Sequence, residues 1–196
     1  MGQLQDSYAL NGTFRDPFDN AKQVNAATDQ FAQNFVAAAD YTAASIKLGV
    51  SRVNTPGTFT VALYAVDGDG KPTGAALASG TSNGDTLSVG LTLTWREVTF
   101  AATTSIAAGT KYAIVLSCAT ANATNAVSWF YAEDPSPDPG DAWQSTDGGS
   151  TWSDPAPWGP LALGFAMYDN FTPPAGGPTV KLLVAVADDA FYYEDV

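Results

Sequence analysis

The strongest constraint on the fold of this chain is a period of two in its apolar residues. In ASIKLGVSRV, Ile46, Leu48 and Val50 share one parity while Lys47 and Ser51 take the other. TFTVALYAV groups Phe59, Val61, Leu63 and Ala65, and LALGFAMYD groups Leu161, Leu163, Phe165 and Met167 against small residues. Successive side chains of a strand point to opposite faces, so each run predicts a strand with one apolar face. TKYAIVLSC is apolar on both parities, which predicts a central strand covered on both sides. Further strands are expected over 93–100, 126–132 and 30–37. Over residues 24–40 a helix competes, because Ala and Gln are common there and Phe31 and Phe35 would share a helical face; strand is the preferred reading.

Turn residues separate the runs. Asn54-Thr55-Pro56-Gly57 has Pro and Gly where turns favour them, and Asp67 to Gly74 and Ser82 to Asp85 are hairpin loops. Short strands at this spacing predict an all-β fold, an antiparallel β-sandwich or jelly roll, over residues 29–171. Residues 1–28 hold no steady period and are expected to form an extended N-terminal arm. Thr172 to Pro178 (TPPAGGP) is a linker by composition, and TVKLLVAVA after it is a strand candidate within a C-terminal tail, 172–196. Val180, Leu182, Val184 and Val186 share one face of that strand. They are expected to assemble either on the chain's own sandwich or on a neighbour.

Charge excludes several functions. The 196 residues carry 20 acidic and 8 basic side chains, a net charge of −12, which opposes nucleic-acid binding and docking on an anionic membrane. There is no histidine, so the common general base and metal ligand are missing. The one cysteine, Cys118, permits no internal disulfide and reads as a small buried hydrophobe. No carboxylate pair stands out as a glycosidase site, and the expectation is a protein that is not an enzyme and takes no cofactor or metal. The opening residues show neither a basic stretch nor an apolar run, so no export signal is expected, and no segment is long enough in apolar residues to span a membrane.

Three motifs remain. Ser145-Thr146-Asp147-Gly148-Gly149-Ser150-Thr151-Trp152 matches the Asp-box pattern, a hairpin clip in which Ser145, Asp147, Gly149 and Trp152 are structural. Asp67, Asp69 and Gly70 faintly echo a calcium loop but lack the further acidic ligands, which favours a solvated hairpin. Glu133, Asp134, Asp138 and Asp141 lie near Trp129, Tyr131 and Trp143 in sequence. That grouping is the best candidate for a sugar-binding surface, with Trp129, Tyr131, Trp143, Asp138 and Asp141 as ligand residues; the competing reading is that the aromatics plug the end of the sandwich.

The hairpin at 67–80 (aspartate, glycine, K-P-T-G, then A-S-G) and the AGTKYAIV strand at 108–115 carry a resemblance. Together with the runs between them, they look like the jelly-roll-like sandwich domains of phage virion proteins and bacterial surface proteins, over roughly residues 29–171. The resemblance implies an adhesive, decorative or carbohydrate-binding role. The leading expectation is therefore a virion structural protein, a head-decoration or tail/fibre component that assembles through its terminal segments, partnered by other virion proteins or copies of itself in a homo-oligomeric assembly. The alternative is a carbohydrate-binding or adhesion module of an extracellular or cell-surface protein, partnered by a host-surface glycan.

Overall fold

The computed structural model describes residues 2–8, 21–133, 140–154 and 161–169. Within them the chain forms twelve strands: β1 (Leu4–Tyr8), β2 (Ala21–Val24), β3 (Gln30–Val36), β4 (Tyr41–Val53), β5 (Thr58–Val66), β6 (Pro72–Asn83), β7 (Thr94–Ile106), β8 (Lys111–Ser117), β9 (Ala126–Glu133), β10 (Ala142–Ser145), β11 (Leu161–Leu163) and β12 (Phe165–Asp169). The one helical element among the described residues is a three-residue 3₁₀ turn, Gly84–Thr86, capped by the Asn83 side chain. No helix there is long and apolar enough to cross a membrane.

The strands form two antiparallel sheets, one of seven strands and one of five. Their nucleus is β2 to β9, laid out as β2-β9-β4-β7 in the larger sheet and β3-β8-β5-β6 in the smaller. Counting those eight strands from one, the orders are 1-8-3-6 and 2-7-4-5, which is jelly-roll connectivity with its alternation of sheets. The fold is thus an all-β antiparallel sandwich, and the contest over residues 24–40 resolves as strand. As a strand, β3 still sends Phe31 and Phe35 to one face, because residues four apart share parity in a strand too.

Alternation places the core. From the larger sheet Ile46, Leu48, Val50, Val127, Trp129, Phe165 and Met167 point inward; from the smaller, Phe31, Phe35, Phe59, Val61, Leu63, Ile114 and Leu116 meet them. The rings of Phe35 and Phe165 bridge the sheets at 5.3 Å. Burying each such side chain stabilises the fold by about 1.5–3 kcal/mol, so this layer is the main source of stability. Cys118 is buried here too, its thiol 3.4 Å from the Pro56 carbonyl.

The larger sheet is split. β4 and β9 pair only over Val50–Val53 and Ala126–Trp129. The LALGFAMYD run enters the gap, pairing first with β9 as β11 and then with β4 as β12. Gly164 marks the crossing: its N–H donates to Phe130 O (3.1 Å) and its carbonyl accepts from Gly49 N (3.3 Å).

Four strands arise where no period predicted them. The segment read as an N-terminal arm supplies β1, paired with β12, and β2, paired with β9. Edge strand β6 is built mostly of small residues, and β10 of four residues extends the smaller sheet beyond β3. The assembly residues Val180, Leu182, Val184 and Val186, and Asp138 of the proposed ligand surface, lie outside the described residues.

Candidate functional groove

The smaller sheet has a second, outward face. Pairing puts Trp143, Ala32, Val115, Ala62 and Ser79 in one row across it, and Asn34, Ala113 and Tyr64 in the next. Ala32, Ala62, Ala113 and Val115 are buried although they face away from the core. This is why β8 is apolar at both parities. The small side chains form a low floor, flanked by the larger rings of Trp143 and Tyr64. Trp143 carries the Lys71 ammonium 5.3 Å from its ring centre.

The β5–β6 turn forms one wall. Asp67 Oδ1 accepts from the backbone N–H of Asp69 (3.0 Å) and of Lys71 (2.9 Å), closing the turn on itself. An oxygen so engaged gives the echo of a calcium loop a structural explanation, and no group of three or more metal-ligating side chains occurs among the described residues. The turn is tied down by Asn34, a fully buried side chain. Its Nδ2 donates to Gly70 O (3.0 Å) and Asp141 Oδ2 (3.2 Å), and its Oδ1 accepts from Asp141 N (2.7 Å). Gly70 and Gly140 close on either side of that amide, each at positive φ and each so near that a Cβ would strike it. Asn34 therefore joins β3, the β5–β6 turn and the start of β10.

The Asp-box forms the other wall, between β10 and the residues after it. Ser145 Oγ donates to Asp147 Oδ1 (2.7 Å) and accepts from Gly149 N (2.8 Å). Thr151 donates twice to Asp147, from its hydroxyl to Oδ2 (2.6 Å) and from its N–H to Oδ1 (2.9 Å). These bonds stabilise the carboxylate, chiefly the Thr151 hydroxyl, then the Thr151 N–H and the Ser145 hydroxyl, and bring its pKa from the ordinary 3.8 down to about 2. The Gln144–Ser153 backbone pair closes the hairpin, and Gly148 N bonds Thr28 O (2.9 Å), fixing the loop against the sheet.

Between the two walls lies a groove of about 510 Å³, lined by Gln30 and Tyr64 from the sheet, by Asp67, Lys71 and Thr73 from the turn and by Trp152 from the Asp-box. The indole N–H groups of Trp143 and Trp152 are buried and have no hydrogen-bond partner among the described residues.

The ligand surface expected from Trp129, Tyr131 and Trp143 does not come together. Trp129 is 0% exposed in the core of the larger sheet, with Nε1 donating to Gly164 O (2.9 Å), and Tyr131 is 7% exposed on the same strand. Adjacent inward positions on β9 dictate this, so these two rings plug the sandwich. Trp143 belongs to the other sheet and its outward face. Asp141 is exposed beside it, 3.9 Å from Lys111 Nζ. The Asp-box residues Ser145, Asp147, Gly149 and Trp152 form the clip, and the clip is also a groove wall. Sequence reasoning missed Asn34 and Gln33. Gln33, fully buried on the inner face, accepts from Leu163 N (2.8 Å) and donates to Gly140 O (3.0 Å), bridging the sheets. The available signal was two adjacent amides inside a strand otherwise rich in apolar residues.

Compared with protein-family models, with curated proteins and with solved structures, the chain matches none. Its functional reading therefore rests on its own residues.

Proposed function

We propose that the chain is a non-enzymatic structural module of a phage virion, a decoration or tail/fibre component held in place by contacts with its neighbours. The observation that carries this reading is a run of exposed apolar side chains just before and at the start of β7. Six large hydrophobic side chains are exposed among the described residues, and three of them, Val89 (60%), Leu91 (52%) and Trp95 (42%), fall within seven residues. Leu93 and Trp95 approach Gly49, so the segment lies along β4 on the larger sheet. Surface hydrophobics scattered singly need no explanation, whereas a clustered patch marks an interaction surface. On a chain of net charge −12, copies repel one another at range, so short-range apolar contact must carry any association between them. The test is incorporation into particles of the double variant Leu91→Ser, Trp95→Ser. Loss of occupancy with an unchanged melting temperature is expected; full occupancy overturns the reading.

The groove on the opposite sheet favours a second reading, a carbohydrate-binding or adhesion module. Aromatic rings beside carboxylates and hydroxyls in a depression of small-ligand size are the chemistry that sugars require.

A further inference from the structure

We propose that the groove between the β5–β6 turn and the Asp-box is a binding site for a neutral saccharide. The inference rests on the carbohydrate-binding reading and adds to it a location and a ligand charge.

Size comes first. At about 510 Å³ the groove falls within the range of about 300–1,000 Å³ usual for small-molecule sites. Next is rigidity. Each wall is held by its own hydrogen bonds, the turn by Asp67 and Asn34, the Asp-box by Ser145, Asp147 and Thr151. A ligand entering between them orders little that is not already ordered, and that keeps the entropic cost of binding low.

The chemistry inside selects the ligand. Trp152 and Tyr64 supply ring surface for the C–H faces of a sugar, and the Gln30 amide and the Thr73 and Tyr64 hydroxyls donate to and accept from its hydroxyl groups. Asp67 uses Oδ1 to hold the turn and keeps Oδ2 without a hydrogen bond among the described residues, an acceptor suited to a sugar hydroxyl. Lys71 is a donor held in place by Asp69 (3.5 Å) and the Trp143 ring.

Charge then decides among polar ligands. The lining carries one carboxylate, Asp67, and one ammonium, Lys71; Asp69 pairs with that ammonium from outside the groove (3.5 Å), and the whole chain is strongly acidic. A phosphate or a sugar carboxylate would enter against this field. A bare calcium ion is a poor fit as well, since it takes six to eight oxygen ligands and the described residues gather no cluster of that kind. An uncharged, hydroxyl-rich ring satisfies donors, acceptors and ring faces together.

The test uses the full chain on an array of neutral and acidic glycans, followed by titration of the strongest neutral glycan into wild type, Tyr64→Phe, Lys71→Ala and Thr99→Ala. Saturable binding of a neutral glycan is expected. It should weaken about tenfold in Tyr64→Phe, the loss of one hydrogen bond to the ligand, weaken also in Lys71→Ala, and stay unchanged in Thr99→Ala, an exposed position of β7 on the larger sheet. Tyr64→Phe removes one oxygen and keeps the ring, so its fold is preserved, and melting curves of each variant confirm this. Neutral-glycan binding untouched by both groove variants overturns this location while leaving the carbohydrate-binding reading standing. Binding restricted to acidic glycans overturns the neutral assignment. No binding to any glycan overturns both.

Discussion

The two faces of the smaller sheet are built from the same strands and held by different forces. Its inner face sends Phe31, Phe35, Phe59, Leu63 and Leu116 into a largely apolar layer against the larger sheet. Its outer face has Ala32, Ala62 and Ala113 as a floor, with turns fastened over it by the Asn34 amide and by the carboxylates of Asp67 and Asp147. The inner face is insensitive to pH and salt and intolerant of lost volume. The outer face depends on a few directed hydrogen bonds. A fold divided in this way keeps the proposed binding groove separate from the source of its stability.

The contrast can be broken by substitution. Trp129→Ala should cost about 3–5 kcal/mol, read as a fall in the urea midpoint, since it removes both a core ring and the bond to Gly164. A cost below about 1 kcal/mol would mean that Trp129 behaves as a surface ring. Gln33→Leu keeps the volume but strips partners from Leu163 N and Gly140 O, for an expected loss of about 2–4 kcal/mol in the same measurement. Asn34→Ala should cost about 1–3 kcal/mol. Its distinctive mark is faster amide exchange at Gly70 and Asp141, where the turn and β10 come loose from β3. Equal exchange in both proteins would show that the outer wall stands without that amide.

The smallest effect is an acid one. The Asp147 pKa is lowered on folding, from 3.8 to about 2, so its ionised form is the one the folded clip prefers. Its contribution is fully present above pH 3.8 and fades as the pH falls through about 2. Asp147→Asn should therefore be less stable than wild type near neutral pH, with the gap narrowing between about pH 4 and pH 2, as read from the urea midpoints of the two proteins. A gap constant through that window would show the carboxylate to be idle.

Alternation made the inner face readable. β3, β4, β5, β8, β9 and β12 each carry large residues on one parity or both, and each formed where the pattern placed it. β1, β2, β6 and β10 are edge or end strands of small and polar residues, which bury no continuous face and so leave no period in sequence. Alternation also encodes which face a side chain takes and not which strand lies beside it, which is why the split between β4 and β9 was invisible. The groove was half legible. The Asp-box and the Asp67–Gly74 turn each stand out as local motifs, but their meeting depends on strand order, with β10 and β5 on one sheet, and nothing local to either motif encodes that. Proximity in sequence misled in the same way: Trp129, Tyr131 and Trp143 are close along the chain and belong to different sheets.

The wedge of residues 161–169 between β4 and β9 has a consequence for synthesis. Leu4 pairs with Tyr168, so the first strand completes its ladder only when nearly the last described residue has been made. Until then the nascent chain carries an open slot between β4 and β9, and a first strand with nothing to join. Such long-range closure makes for slow folding, and translation at about 5–20 residues per second sets a further wait of many seconds. The protein commits to its final form late. A chain arrested before residue 161 would expose two unpaired strand edges to any neighbouring copy, which on a crowded ribosome is the moment of greatest risk of misassembly.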